Sequence, residues 1–166
     1  MRILAVDPGK DGFIVRLDEK GVGSWPMPVI DPPLKHGKRK GKRQYDMAQM
    51  ARIVRACEPD LIVVEKQQAY PGQGVSSTFS TALGYGIWQG IAAGIGIRAE
   101  FPHPKTWQKD MLRDIPGEDT KQRSIIAAGQ RFPLVDLRKS ERARKPHDGK
   151  CDALLIAAWA RDKYAE

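Results

Sequence analysis

The chain opens Met1-Arg2-Ile3-Leu4-Ala5-Val6-Asp7-Pro8-Gly9, and the fold turns on how that stretch is read. Ile3 to Val6 is an unbroken apolar run, too short for a helix, and predicts a strand buried on both faces. Asp7 stands at its end, and Pro8-Gly9 stops regular pairing. Lys10-Asp11-Gly12 makes a tight turn, and Phe13 to Leu17 resumes as a strand. A carboxylate at the tip of a central strand is rigidly held and poorly solvated, which suits a metal ligand. A turn-forming Asp before Pro-Gly explains the same residue equally well. The two readings separate on whether other carboxylates occur where this strand end can meet them.

Working outward, Phe13 to Leu17 and Val22 to Val29 are joined by the turn Asp18-Glu19-Lys20-Gly21. With the first strand they predict a three-stranded antiparallel unit, and Pro26 and Pro28 make its last strand an edge. Residues 31 to 43 hold six Lys or Arg, two Pro and two Gly, with almost nothing to bury. That composition predicts a mobile basic loop at about 31–44. It is either a solvated linker or an arm that contacts phosphates through Lys38, Arg39, Lys40, Lys42 and Arg43.

Tyr45 to Cys57 carries apolar residues at helical spacing, and Leu61 to Val64 is a second buried strand ending in an acid, Glu65. Helix followed by buried strand indicates an α/β architecture. The polar stretch 66–77 is a loop beside Glu65. Ser76 or Ser77 is expected to cap a helix from Thr78 to about Gly94. On that helix Gly86, Gly90 and Gly94 recur every fourth residue, so one face is nearly bare backbone. It serves either close packing within the chain or a subunit interface. Ile97 to Phe101 reads as a strand, Lys105 to Leu112 as a short helix anchored by Trp107, and Thr120 to Phe132 as a helix. Residues 138–145 form a second basic cluster, and Asp152 to Ala160 is an almost wholly apolar closing helix.

Length and composition bound the function classes. A chain of 166 residues predicts a single domain, 1–166, with a real core. Lys and Arg number 28 against 20 acids, a net charge of +8 that favours a polyanionic partner. Cys57 and Cys151 lack zinc-site spacing and read as reduced thiols of a cytosol-like compartment. No signal-peptide pattern precedes the first strand. The longest apolar region, Ala82 to Ile97, is broken by five glycines and is shorter than the roughly 20 residues a membrane span needs.

Four acids share a pattern: Asp7, Glu65, Asp148 and Asp152. The first two end buried strands. The last two precede or open the buried final helix, four residues apart, so both can face the sheet. Carboxylates brought together raise one another's pKa unless cations compensate. Mg²⁺ is held by such oxygen ligands, and a pair of ions about 3.5–4 Å apart serves phosphodiester cleavage. Favourable helix capping accounts for Asp152 alone, not for acids at two strand ends.

With these residues in hand, strand–Asp7-Pro8-Gly9, strand–Glu65 and His147-Asp148-Gly149-Lys150-Cys151-Asp152-Ala153-Leu154-Leu155-Ile156-Ala157 resemble the RuvC-type Holliday junction resolvases of the RNase H-like superfamily. The likeness covers nearly the whole chain. It implies an RNase H-like α/β fold: a mixed five-stranded sheet, three antiparallel strands plus two parallel, flanked by helices. It also implies a homodimer, Mg²⁺ or Mn²⁺ with two ions per site, and paired symmetric nicks in four-way DNA junctions. By the resemblance Asp7 bridges the metals, Glu65 and Asp152 each bind one, and Asp148 is the fourth ligand. Lys121 lies near the scissile phosphate. Lys66, Lys105, Lys109, Arg142, Arg144 and Lys145 join the arm as expected DNA contacts.

One departure bears on the site. The bacterial proteins place the last two ligands three apart, but Gly149 stands three before Asp152. The His147-Asp148-Gly149 sequence is more similar to the phage-type and organellar branch. It leaves open whether Asp148, His147 or both complete the site. A neutral His147 can ligate or position water, and loses that role when protonated near pH 6.5. Competing expectations are an RNase H-like nuclease acting on other branched DNA, hybrids or RNA, and a module that binds junctions without cutting. An actin-like phosphotransferase needs two such domains where this chain has room for one. The expected setting is the cytoplasm of a bacterium or phage-infected cell, or an organelle, with no membrane contact. Any partner helicase is left open.

Overall fold

The elements run β1 Ile3–Val6, β2 Phe13–Asp18, β3 Gly21–Pro26, β4 Val29–Ile30, β5 Gln44–Tyr45, α1 Met47–Cys57, β6 Leu61–Val64, α2 Val75–Ile95, β7 Ala99–Glu100, α3 Pro104–Met111, α4 Thr120–Arg131 and α5 Asp148–Tyr164. The computed structural model describes residues 1–32, 42–69 and 71–164. Most of the expected loop therefore lies outside the described residues, including Lys38, Arg39 and Lys40.

β1 sits at the centre of a five-stranded sheet of order β3-β2-β1-β6-β7. It pairs antiparallel with β2 and parallel with β6, with Val6 opposite Val64. β3 extends the antiparallel side and β7 the parallel side, which is the mixed sheet the resemblance implies. Alternation along the strands divides the core in two. Ile3, Ala5, Leu61 and Val63 face α3, α4 and α5, and Leu4, Val6, Ile62 and Val64 face α1 and α2. All eight are at most 1% exposed, which is why both strands read as continuous apolar runs. Residues one step past Val6 and Val64 point to the α5 side.

Several boundaries differ from expectation, each for a local reason. The third strand ends at Pro26 rather than Val29, because Pro28 cannot extend a ladder. Val29–Ile30 leaves the main sheet and pairs with Gln44–Tyr45, a two-stranded ribbon at the base of the basic loop. α2 begins at Val75 with Gly74 as N-cap and no side-chain cap, so neither Ser76 nor Ser77 caps it. α3 begins at Pro104, whose fixed φ and missing N–H suit a first helical position. The final helix starts four residues earlier than Asp152, with the His147 carbonyl accepting from the Lys150 and Cys151 amides at 3.1 and 3.0 Å. Within 4 Å of where a Cβ would stand on Gly86, Gly90 or Gly94 the described residues place nothing. The glycine face of α2 is thus not packed against any of the described residues. Among the described residues no helix is long and apolar enough to cross a membrane.

Candidate active site

β1 and β6 deliver two carboxylates side by side. The Glu65 amide donates to the Val6 carbonyl at 3.0 Å, continuing the parallel ladder one step past Val64. The Asp7 amide donates to Phe13 O at 3.0 Å, closing the turn into β2, and Asp7 Oδ1 accepts from the Gly9 amide at 3.3 Å. Glu65 is fixed from two sides: Trp107 Nε1 donates to Oε1 at 3.0 Å and Gln67 Nε2 to Oε2 at 3.1 Å. Trp107 is wholly buried, so that donor is held by packing.

The start of α5 closes over this pair. Gly149 faces Asp7 so closely that a Cβ there would lie 2.6 Å from Oδ2. A Cβ on Gly12 would likewise run into the Asp7 carbonyl. Two glycines therefore admit helix and turn to van der Waals contact with one carboxylate. Asp148 and Asp152 stand one helical turn apart, so both carboxylates lie on the face that meets the strand ends.

The electrostatics follow from this crowding. Burial raises the Asp7 carboxyl to about 6, with Asp148 and Asp11 adding repulsion and the Gly9 amide opposing them. Burial raises Glu65 to about 7, and Asp7 and Asp152 push the same way. Asp152 is raised to about 7, again chiefly by burial, with Asp7 and Asp148 repelling it. Among the described residues, Asp152 Oδ1 and the buried Ser124 hydroxyl of α4 both lack a partner of sound geometry, although the hydroxyl lies near enough to favour the charged form. Asp148 behaves differently: Lys121 Nζ, from the first turn of α4, sits 2.8 Å from its Oδ2 and lowers its pKa.

His147 packs on Phe13 with ring centroids 4.9 Å apart, and its Nδ1 accepts weakly from the Lys150 amide at 3.4 Å. Burial lowers its pKa, which favours the neutral ring. Its Nδ1 stands 3.9 Å from Asp148 Oδ1. The residue thus opens the helix that carries two of the acids.

The structure brings Asp7, Glu65, Asp148, Asp152, Lys121 and His147 to one end of the sheet. The donor set of the acids is all oxygen, which suits Mg²⁺ or Mn²⁺. A buried carboxylate oxygen without a partner is the kind of atom a cation would satisfy. Among the described residues no three His, Cys, Asp or Glu side chains stand within reach of one ion as placed. Trp107 and Gln67 engage Glu65, and Lys121 engages Asp148.

The expected DNA contacts are spread around this end. Lys66 follows Glu65 directly and is half-buried. Lys105 and Lys109 line a groove of about 230 Å³ with Arg113, Thr120 and Arg123. Arg142, Arg144 and Lys145 are exposed on a loop closed by the Arg138–Pro146 bridge. Lys42 donates to the Ser76 hydroxyl of α2, and Arg43 holds both oxygens of Asp11 at 2.9 Å. Sequence reasoning missed Ser124, Gln67 and the donor role of Trp107. For Ser124 a signal existed: it stands three residues after Lys121, on the same helix face.

No protein-family model matches the chain. A chloroplastic Holliday junction resolvase of Chlamydomonas reinhardtii is 32% identical over 97 residues, 58% of this chain. That match spans about a tenth of the relative's length, 10%. Among solved structures, RuvC of T. thermophilus in complex with a Holliday junction substrate has a TM-score of 0.57 at 16% identity. It covers 99% of this chain and 97% of that one. The yeast mitochondrial Holliday junction resolvase has a TM-score of 0.58 at 16% identity, covering 95% of this chain and 76% of that one. The chain has the RNase H-like fold of the RuvC-type resolvases.

Proposed function

We propose that the chain is a divalent-metal-dependent endonuclease that resolves four-way DNA junctions by paired nicks. The observation that carries this reading is the convergence of Asp7, Glu65, Asp148 and Asp152 on one sheet end, three of them raised in pKa by burial and mutual repulsion. Such a cluster is costly as it stands and is relieved by cations. Bound Mg²⁺ or Mn²⁺, two per site, would supply the Lewis-acid charge that polarises attacking water and leaving oxygen. Asp7, Glu65, Asp148 and Asp152 would hold them. Lys121, 75% exposed and paired to Asp148, can swing to a phosphate at little cost. His147 supports the helix start and is auxiliary.

Junction selectivity calls for two sites related by two-fold symmetry, because the substrate has that symmetry. The exposed face of α2 supports a homodimer: Phe79 is 69% and Leu83 45% exposed beside the bare glycines. The sequence likeness to a chloroplastic resolvase supports the same substrate. Both cysteines are buried free thiols, as suits a reducing compartment of a bacterial or phage-infected cell or an organelle.

The test compares a four-way junction, a duplex and an RNA–DNA hybrid, each with Mg²⁺, Mn²⁺ or chelator. Paired symmetric nicks in the junction alone, absent with chelator, are expected. Asp7→Asn, Glu65→Gln and Asp152→Asn should each abolish cleavage while junction binding persists. Preferential cutting of the hybrid would reassign the substrate, and junction binding without cleavage in either metal would reduce the chain to a binding module.

A further inference from the structure

A second surface lies beside the catalytic turn, and it shares only Arg43 with the expected DNA contacts. A groove of about 410 Å³ runs between the end of β3 and α1. Its floor is apolar, with Trp25, Met27, Pro28 and Ile53, and its rim carries Lys10, Arg43 and Lys139. Pro26 and Pro28 stop the edge strand, so among the described residues no further strand extends the sheet beyond β3 at the floor. Trp25 is partly exposed, and Gly23 makes room for its ring, since a Cβ there would come to 3.0 Å from Cη2.

The groove is tied to the site by the backbone. The Met27 amide donates to Gly12 O at 2.9 Å, and Gly12 belongs to the turn that begins at Asp7. On the rim, Arg43 holds the Asp11 carboxylate at 2.9 Å and Lys139 approaches it at 3.8 Å, while the Lys10 ammonium lies 5.4 Å from the centre of the Tyr45 ring. A positive rim over an apolar, aromatic floor is how proteins hold unpaired nucleotides, with phosphates on the cations and a base face on the ring. Duplex backbone alone would use the rim and leave the floor wet, because paired bases present their faces only to one another.

We propose that this groove receives one unstacked nucleotide of the branched substrate, its base against Trp25 and its phosphates on Lys10, Arg43 and Lys139. The inference rests on the junction-nuclease reading, and it adds a place for a nucleotide displaced at the branch point. It predicts that the enzyme distinguishes junctions from duplex partly by capturing a base that duplex DNA does not offer.

The test uses intrinsic fluorescence of the whole protein, without divalent metal so that no strand is cut. Trp88 and Trp107 are 0% exposed and Trp159 3%, so acrylamide reaches Trp25 first. Binding of a four-way junction should quench Trp25 and shield it from acrylamide, whereas a duplex of the same length should bind with neither change. Trp25→Ala should weaken junction binding by roughly 5- to 100-fold, the range of one base stack, and Trp25→Phe should restore most of it. Lys10→Ala and Lys139→Ala should each lower the log–log salt slope by about 0.7–0.9. Junction binding that leaves Trp25 open to acrylamide, or an unchanged affinity in Trp25→Ala, would overturn the proposal while leaving the nuclease reading intact. Equal quenching by duplex would overturn the unpaired base. Absence of any DNA binding would instead defeat the nuclease reading itself.

Discussion

At the scale of single residues, the three raised carboxyls make a claim about stability. Each has a folded pKa above its unfolded value, so as pH rises the unfolded chain loses its proton first. The metal-free protein should therefore lose stability between about pH 4 and pH 7 and stay level above that window. Asp152→Asn removes one such charge. It should raise stability in chelator at pH 8 by about 1–3 kcal/mol, read as a higher Tm, with the gain gone below pH 4. Added Mg²⁺ should reverse the order by stabilising the native chain only. Asp148→Asn should bring no such gain, because Lys121 already favours the charged Asp148; a gain equal to that of Asp152→Asn would refute the pairing. In cleavage, measured as single-turnover rates at saturating Mg²⁺, Asp148→Asn should cost as much as Asp152→Asn, and His147→Ala less. The acids were legible because each strand-end acid follows four apolar residues, a pattern local in sequence. Their partners were not: Trp107 reaches Glu65 across 42 residues, and no spacing rule reports a contact of that range.

Among elements, α2 separates two kinds of glycine that look alike in the sequence. Gly84 is buried, and a Cβ there would strike the Tyr45 hydroxyl and lie 2.8 Å from Pro8 O. Gly86 opens onto nothing among the described residues. Gly84→Ala should destabilise by about 1–3 kcal/mol through overpacking, whereas Gly86→Ala should add about 0.5–1 kcal/mol to the protomer through helix propensity. Denaturant midpoints of the two variants should move in opposite directions. Gly90→Leu should give monomers by sedimentation that nick poorly or one strand at a time. A dimer that survives it would move the interface off this face. The four-residue period was legible, but which glycine faces inward was not, since helical spacing gives a face and not what lies against it. The ribbon β4–β5 was illegible for a related reason: two residues on each side carry no period.

For the whole molecule, the net charge of +8 is the long-range feature. Replacing Lys38, Arg39, Lys40, Lys42 and Arg43 with Ser should weaken binding to all DNA. The log–log salt slope should fall by about 0.9 for each phosphate of B-form DNA that the variant no longer neutralises. An unchanged slope would remove the loop from the interface. Composition and the unbroken apolar runs made the three-layer α/β plan legible, because β1 and β6 are apolar on both faces and demand helices on each side. The edge at β3 was legible from its prolines. The early start of α5 was not, since Pro146 and Gly149 discourage a helix that the packing on Asp7 nevertheless requires. That packing has a consequence for how such a sequence drifts over evolutionary time. Gly12 and Gly149 leave no room for a methyl group beside Asp7, so selection acts there on an absence. The expected outcome is that substitutions accumulate elsewhere while these two gaps stay vacant. In a saturation mutagenesis screen for cleavage, positions 12 and 149 should rank with the acids as the least replaceable, though neither contributes an atom to the chemistry.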